Sequence, residues 1–424
     1  MLRIILILFL SGLIASCQNQ RPENTRVQIK EIDGQARFTI DGQVHEIKGL
    51  AGHTHLREAH DIGANTIRTY DTTGLQSILD SAHHYGLKVV AGVWLPKSHV
   101  PWLYKNEEQR IKLSKELAAL GRKYRDHPAL LSWCLGNELI FYDLMDFDFS
   151  RTYNRLLDSL RSGDPEHPIG SAFANYGHKA ILNFSLKIRS LDYLIINTFG
   201  RLPKLSEDMN DLDFLWSKPF LIGEFGENGP WETEWTKWGA PLEPSSSQKA
   251  EITGRRFKEL PREHPNFLGA LFFNWGWRHE QTHTWFNVFS KDGERSALYY
   301  ALAMQYGDNP VPEIPKIKSL KIDHSTKANN FWFESNQWHE AQLEIPESLN
   351  KDSLEIRWSI RTEDWFFLKA DSPPPLPDLI ECAKDRQKIR FKTPSKAGPF
   401  RLYVSIHNRS RHFAAANLPF YVVQ

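Results

Sequence analysis

The chain has 424 residues, and its composition already excludes several classes of protein. It carries 52 Lys and Arg against 51 Asp and Glu, so a nucleic-acid binder, which needs a basic excess, is excluded. Aromatic residues make up 12 % of the chain and apolar residues 41 %, which argues against disorder. The length indicates a large folded unit followed by a smaller one.

The first 16 residues combine one Arg, an apolar stretch and small residues before Cys17. This stretch is too short for a membrane-spanning helix and resembles the signal peptide of a bacterial lipoprotein. The resemblance implies that Cys17 is acylated and that 17–26 form a polar tether. It predicts an exported lipoprotein, held in the outer membrane on the periplasmic face or at the cell surface. A plain signal peptide with a chance Cys is the alternative.

Two further cysteines, Cys134 and Cys382, remain in the mature chain. Cys134 lies in a very apolar run and is predicted to be a buried free thiol. No pair of cysteines has the spacing of a metal site, so the sequence predicts neither a metal nor a cofactor.

Residues 27–306 are predicted to form an α/β unit, a (β/α)8 TIM barrel preceded by a hairpin or meander over 27–46. Eight apolar runs alternate with amphipathic helical stretches, which is typical of parallel strands buried on both faces. An open doubly wound sheet is the rival fold, but no glycine-rich phosphate loop follows the first strand. The runs span 47–52, 65–70, 87–95, 129–137, 168–174, 191–199, 219–225 and 267–275.

A Pro-rich segment over 307–318 is predicted to be a linker. From 319 to 424 short alternating segments are separated by turn residues, which indicates an all-β, immunoglobulin-like sandwich with six or seven strands. Its aromatic residues alternate as core positions do. We therefore expect the sandwich to serve in packing or as a spacer.

The active site of such a barrel lies at the carboxyl-terminal ends of its strands. Glu138 follows the fourth run and Glu224 ends the seventh, so the two carboxylates are expected to face each other across the barrel mouth. Glycoside hydrolases use such a facing pair of carboxylates to cleave the glycosidic bond. Because like charges close together raise one pKa of a pair, we expect one of the two carboxyl groups to have a raised pKa, which suits an acid.

Two motifs resemble the signatures of glycoside hydrolase clan GH-A: WCLGNE, ending at Glu138, and IGEFG around Glu224. The resemblance implies a retaining mechanism with Glu138 as acid/base and Glu224 as nucleophile. The raised pKa of the pair is therefore expected on Glu138. It also implies that Asn137 binds the sugar 2-hydroxyl, that Arg68 contacts the nucleophile region and that Trp275 lies under the −1 sugar. Where many members have a Tyr or His after strand six, this chain has Asn197, so Tyr70, Tyr176 or Asn197 is expected to position the nucleophile.

The segment NTIRTYD over 65–71, together with the domain order, resembles glycoside hydrolase family 158, which implies an endo-β-1,3-glucanase acting on β-glucan. Exo-acting or transglycosylating β-galactosidase- or β-mannosidase-like activity and a non-catalytic glycan-binding protein are the alternatives. Further strand-end residues predicted to bind substrate are His53, His55, Trp94 and Trp277. Loop aromatic residues predicted to stack on sugars are Trp94, Trp102, Phe141, Tyr142, Trp231, Trp235 and Trp285.

His279-Glu280-Gln281-Thr282-His283 matches the H-E-x-x-H zinc motif. Zinc chemistry needs the two histidines one helical turn apart, and this segment directly follows a strand without helical periodicity. We interpret it as a chance match in a loop, whose histidines could still bind sugar hydroxyls; a zinc peptidase is the outside alternative. The expected partners are a polysaccharide or oligosaccharide and, through the lipid anchor, a membrane. The protein is expected to be a monomer without nucleic acid.

Overall fold

The structure is a computed structural model that describes residues 26–97, 101–139, 147–175, 177–210, 217–307, 310–326, 331–349, 353–364, 372–383 and 386–424. It contains a closed eight-stranded barrel followed by two four-stranded sheets, which confirms the predicted fold class. The predicted signal peptide and Cys17 lie outside the described residues.

A three-stranded antiparallel meander precedes the barrel, with strands β1 (Val27–Ile32), β2 (Gln35–Ile40) and β3 (Gln43–His45). Its Phe38 is fully buried and lies edge-on to Tyr193, with ring centroids 5.6 Å apart. Meander residues share a core cluster with the amino-terminal parts of the barrel strands. The meander therefore closes one end of the barrel and leaves the opposite end for a site.

Each of the eight apolar runs contains one barrel strand, and all neighbouring pairs are parallel. The strands follow chain order around the ring, and the last pairs with the first. The runs are continuously apolar because one strand face lines the barrel interior and the other packs against helices. The strands are β4 (Ile47–Ala51), β5 (Thr66–Arg68), β6 (Lys88–Val93), β7 (Leu130–Asn137), β8 (Ile169–Ala174), β9 (Tyr193–Asn197), β10 (Phe220–Phe225) and β11 (Phe267–Phe273).

Side chains of Asn, Ser and Gln define several helix starts. Asn106 Oδ1 accepts from the Gln109 amide at 3.2 Å, and Ser245 forms a reciprocal capping box with Gln248. The last barrel helix begins at Ala297, where the Ser296 hydroxyl caps it by accepting from the Leu298 amide at 3.3 Å. The helices are α1 (Leu56–Asp61), α2 (Leu75–His84), α3 (Pro101–Tyr104), α4 (Glu107–Tyr124), α5 (Phe147–Gly163), α6 (His178–Lys187), α7 (Leu205–Asn210), α8 (Ser246–Lys258) and α9 (Ala297–Tyr306). None of these described helices combines the length and the apolar character needed to cross a membrane.

The carboxyl-terminal domain has eight described strands, one or two more than predicted. One sheet has the order β12-β14-β17-β16 and the other β13-β19-β18-β15, and apolar side chains from both sheets form the core between them. The strands are β12 (Ser319–Ile322), β13 (Trp332–Glu334), β14 (Trp338–Glu344), β15 (Leu354–Thr362), β16 (Ile380–Cys382), β17 (Lys388–Lys392), β18 (Gly398–Asn408) and β19 (Phe413–Val423).

The sandwich packs directly on the barrel loops that follow β10 and β11. Fully buried Arg401 donates to Glu363 at 2.6 Å within the sandwich and to the Pro241 carbonyl of the barrel at 2.9 Å. Across the same interface, Asn417 donates to the buried Glu243 carboxylate at 2.6 Å. A packing role therefore describes the sandwich better than a spacer role, since charged groups are buried between the two units.

Candidate active site

The carboxyl-terminal ends of the barrel strands surround a cavity of about 540 Å³, at the end opposite the meander. It brings together six residues that the sequence had singled out as site residues, Tyr70, Asn137, Glu138, Asn197, Glu224 and Trp231. The remaining lining residues are Ala174, Asn175, Phe199, Phe273, Arg278 and Glu280.

Glu138 enters this cavity from an unusual backbone conformation. Its φ is +51°, in the left-handed region, and Gly136 two residues earlier has a φ of +81° that favours glycine. The Glu138 amide donates to the Ala172 carbonyl at 2.8 Å, and Lys97 Nζ donates to the Glu138 carbonyl at 2.8 Å. The strand end is thus held by its own hydrogen bonds while the Glu138 side chain lines the cavity.

One amide nitrogen joins the two carboxylates. Asn197 Nδ2 donates to Glu138 Oε1 at 2.9 Å and to Glu224 Oε1 at 2.9 Å. The two acceptor oxygens are therefore no farther apart than twice that distance, which falls below the range of about 6.5–9.5 Å that inverting glycosidases need for a water. A carboxylate pair this close can act as acid and nucleophile on one bond.

Arg68 lies beneath the pair with no solvent exposure. Its Nη1 donates to Asn197 Oδ1 and to the Gly223 carbonyl, both at 3.0 Å, and reaches Glu224 Oε1 at 3.4 Å. Its Nη2 donates to Asn137 Oδ1 at 2.7 Å. The guanidinium orients both amides, and this fixes the Nδ2 of Asn197 toward the two carboxylates. Of the three candidates named for positioning the nucleophile, Asn197 makes this contact, and the Tyr70 hydroxyl also interacts with the Glu224 carboxylate.

The pKa of Glu224 is raised to about 7, because burial and the nearby Glu138 charge raise it more than Arg68, the Tyr70 hydroxyl and Arg278 lower it. Glu224 is only 6 % exposed, which is why burial is the largest cause of this shift. The raised pKa expected of Glu138 stays a prediction.

Trp275, expected beneath a sugar, does not line the cavity. It is 1 % exposed, donates through Nε1 to the His55 carbonyl at 3.3 Å, and packs against Phe289 and Tyr299 outside the barrel. The chain leaves β11 after Phe273, so Phe273 faces the cavity and Trp275 enters the layer between strands and helices.

Four other predicted substrate contacts also lie away from the cavity wall. Trp94 is 61 % exposed, and His53 is exposed as well. The His55 ring stacks on Phe289 at 3.9 Å, and Trp277 lines a separate cavity beside the sandwich. Tyr176 lies outside the described residues.

The predicted sugar-stacking aromatic residues divide in the same way. Trp231 lines the cavity, where its ring centroid lies 5.8 Å from that of Phe199. Trp235 is exposed to solvent and does not line the cavity. Trp285 is fully buried, and its Nε1 donates to the Asn228 carbonyl. Phe141, Tyr142 and the side chain of Trp102 fall outside what the structure describes.

Sequence reasoning missed Arg278 and Glu280, which line the cavity from the loop after β11. Arg278 Nε lies 3.1 Å from Glu280 Oε2, and its guanidinium lies over the Phe273 ring at 5.1 Å. Their position directly after the eighth strand indicated that they could line the site. The sequence of this loop has no periodicity, however, so it does not show which side chains face the cavity.

The H-E-x-x-H segment is a loop, as interpreted. Glu280 and Thr282 form an isolated bridge, so its histidines do not share a helix face. His279 Nε2 lies 3.2 Å from Asp364 of the sandwich, and the His283 ring lies against Tyr403 at 4.4 Å. Both histidines thus face the sandwich and not a sugar site. Among the described residues, no group of three or more acidic, His or Cys side chains is placed to hold a metal ion.

The chain matches no protein-family model, and it matches no curated protein. It is similar in structure to a β-D-glucuronidase of Dictyoglomus thermophilum, with a TM-score of 0.51 and 15 % identity over 68 % of this chain and 54 % of that one. A putative β-galactosidase from Bacteroides fragilis has a TM-score of 0.51 and 13 % identity over 93 % and 57 %. A β-galacturonidase from Eisenbergiella tayi has a TM-score of 0.51 and 15 % identity over 66 % and 54 %.

At these identities the likeness establishes a shared fold and nothing finer. The chain spans little more than half the length of these solved structures. The chemical function of the site therefore follows from its own geometry and not from the shared fold.

Proposed function

We propose that this protein is a retaining β-glycosidase in which Glu224 is the nucleophile and Glu138 the acid/base. The observation that carries the proposal is the single Asn197 Nδ2 that donates to both carboxylates at 2.9 Å inside one cavity. Retaining enzymes place the two carboxyl groups about 5–5.5 Å apart, whereas inverting ones need about 6.5–9.5 Å. The shared donor keeps the two acceptor oxygens no farther apart than twice 2.9 Å, which is short of the inverting range.

In the first step, the Glu224 carboxylate attacks the anomeric carbon while Glu138 gives its proton to the departing glycosidic oxygen. A covalent glycosyl–enzyme and the free leaving group result. In the second step, Glu138 takes a proton from water, the water oxygen attacks the same carbon, and the Glu224 carboxylate is released. Asn197 and Arg68 hold the nucleophile throughout, because both contact its Oε1.

We further propose exo-action on a terminal β-linked sugar. The cavity volume is that of a small-molecule pocket, and it is walled by Phe199, Trp231 and Phe273. Similar solved structures are titled β-glucuronidase, β-galactosidase and β-galacturonidase, which favours the exo-acting alternative over the endo-β-1,3-glucanase that the sequence predicted. Among the described residues that line the cavity, none singles out a β-1,3-linked glucan, and cleavage of that substrate stays a prediction.

The proposal is tested with Glu138→Gln and Glu138→Ala on 4-nitrophenyl and 2,4-dinitrophenyl β-glycosides. We expect kcat/KM to fall about 10²–10⁴-fold on substrates with poor leaving groups and much less on the dinitrophenyl ones. Azide should rescue Glu138→Ala by forming a β-glycosyl azide. Glu263→Gln, an exposed carboxylate at the meander end, is the matched control and should keep full activity. Unchanged activity in Glu138→Gln would remove this residue from the mechanism.

Products from laminarin and from other β-1,3-, β-1,4- and mixed-linkage glucans, sized over time, separate exo- from endo-action. Early release of monosaccharide alone supports the proposal. An early ladder of oligosaccharides from laminarin supports the endo-β-1,3-glucanase instead.

We also propose that acylated Cys17 anchors the protein to a membrane, on the sequence pattern alone. Acyl chains add about 0.8 kcal/mol for each buried CH₂ group, so several chains hold a protein firmly. Cys17→Ala should release the protein from membranes or leave it unprocessed. A wild-type protein that washes off without detergent would contradict the anchor.

A further inference from the structure

The cavity contains a third carboxylate that the proposed mechanism does not use. Glu280 is 7 % exposed and lines the same wall as Arg278, within range of the Glu138 charge. Burial raises its pKa, and Arg278 opposes that shift. A buried acid in a binding cavity calls for a functional explanation, because removing a carboxylate from water costs free energy even when the carboxylate is paired.

The described residues bordering this cavity carry more negative than positive charge. Three carboxylates, Glu138, Glu224 and Glu280, face it, and each nearby guanidinium is matched to an acid. Arg68 contacts Glu224 at 3.4 Å, and Arg278 contacts Glu280 at 3.1 Å. An anionic ligand would therefore enter a site where the described positive charges are already paired with carboxylates.

Two buried acceptor groups border the cavity. Asn175 Oδ1 accepts no hydrogen bond from any described group, and the Glu280 carboxylate is contacted by Arg278 Nε, which lies 3.1 Å from its Oε2. Buried acceptors in native sites are normally paired, so a ligand that fills this cavity is expected to bring donors to them. Sugar hydroxyls donate, whereas a uronate carboxylate only accepts.

We infer that Glu280 determines specificity: its carboxylate accepts hydrogen bonds from hydroxyl groups of the bound sugar and selects neutral glycosides over uronides. This inference rests on the proposed function of the site. It sets the chain apart from similar structures titled β-glucuronidase and β-galacturonidase.

The loop that carries Glu280 is fixed by the sandwich. Gln281 Nε2 donates to the Asp364 carbonyl at 2.6 Å, and the Glu280–Thr282 bridge closes the turn between them. Arg278 is fixed as well, since its amide donates to Asn287 Oδ1 at 2.9 Å and Asn287 Nδ2 donates to its carbonyl at 2.9 Å. Glu280 is thus held in place before a ligand arrives, as a specificity residue requires.

The test compares 4-nitrophenyl glycosides in pairs that differ only at C6, glucoside with glucuronide and galactoside with galacturonide. For whichever pair is cleaved, wild type should favour the neutral member in kcat/KM by about 10²-fold or more, since uncompensated like charge disfavours the other. In Glu280→Gln that ratio should fall at least about tenfold. Glu263→Gln should leave it unchanged.

Wild-type preference for the uronide, or equal loss on both members in Glu280→Gln, overturns the inference while the glycosidase proposal stands. If no glycoside of any kind is cleaved, the proposed function fails instead. Calorimetry of wild type with glucose, galactose and their uronic acids then still decides the inference, and tighter binding of a uronic acid overturns it. The wild-type measurements also keep the test valid if Glu280→Gln does not fold.

Discussion

The raised pKa of Glu224 predicts that the nucleophile destabilises the folded protein at neutral and alkaline pH. The pKa is about 7 in the folded state against 4.5 for a free carboxyl. Between these values the folded state binds more protons than the unfolded state, so stability falls as pH rises through this window. At 1.36 kcal/mol for each pKa unit, the full loss is about 3 kcal/mol.

Glu224→Gln removes this loss, because the amide resembles the protonated carboxyl and stays neutral at every pH. We expect the variant to gain stability over wild type as pH rises from 5 to 8, by about 2–3 kcal/mol in unfolding free energy. Thermal and urea unfolding of both proteins across this range measure the difference. Glu263→Gln, whose carboxylate is exposed, should show no such pH dependence.

A difference between Glu224→Gln and wild type that stays flat from pH 5 to 8 would refute the reasoning. So would a variant that is less stable than wild type at pH 8. Either result would mean that Arg68 and Asn197 compensate the buried charge fully.

Three further predictions follow from the same contacts. Asn197→Ala removes the donor that both carboxylates share, so kcat should fall about 10²-fold and the acid limb of the kcat/KM–pH profile should move to higher pH. Glu138→Gln removes a negative charge that raises the pKa of Glu224. On a dinitrophenyl glycoside the acid limb of the kcat/KM–pH profile should therefore move to lower pH, and an unchanged acid limb would contradict the electrostatic coupling of the two carboxylates. Arg401→Met leaves Glu363 buried and unpaired and should cost about 3–5 kcal/mol in thermal unfolding, part of which Glu363→Gln should restore.

The barrel could be predicted because its strands are buried on both faces and so appear as apolar runs. Glu138 and Glu224 followed from that, since the residue at a strand end is where a barrel builds its site. Asn197 was among the candidates for the same reason, although its role as a donor to both carboxylates depends on how Arg68 orients its amide.

The residues after the eighth strand could not be predicted in this way. Alternation along β11 would put Trp275 on the same face as Phe273, but the chain turns after Phe273 and Trp275 packs outside the barrel. Glu280 lies in a loop whose shape is set by contacts with the sandwich, and a domain contact distant in sequence leaves no local pattern.

The central claim is that Glu138 and Glu224 act by double displacement, and the stereochemistry of the first product tests it most directly. Proton NMR of a β-glycoside digest, recorded within the first turnovers, distinguishes the anomers before mutarotation. The account predicts that the β-anomer appears first and that the α-anomer follows only by mutarotation. An α-anomer released first would contradict the retaining mechanism.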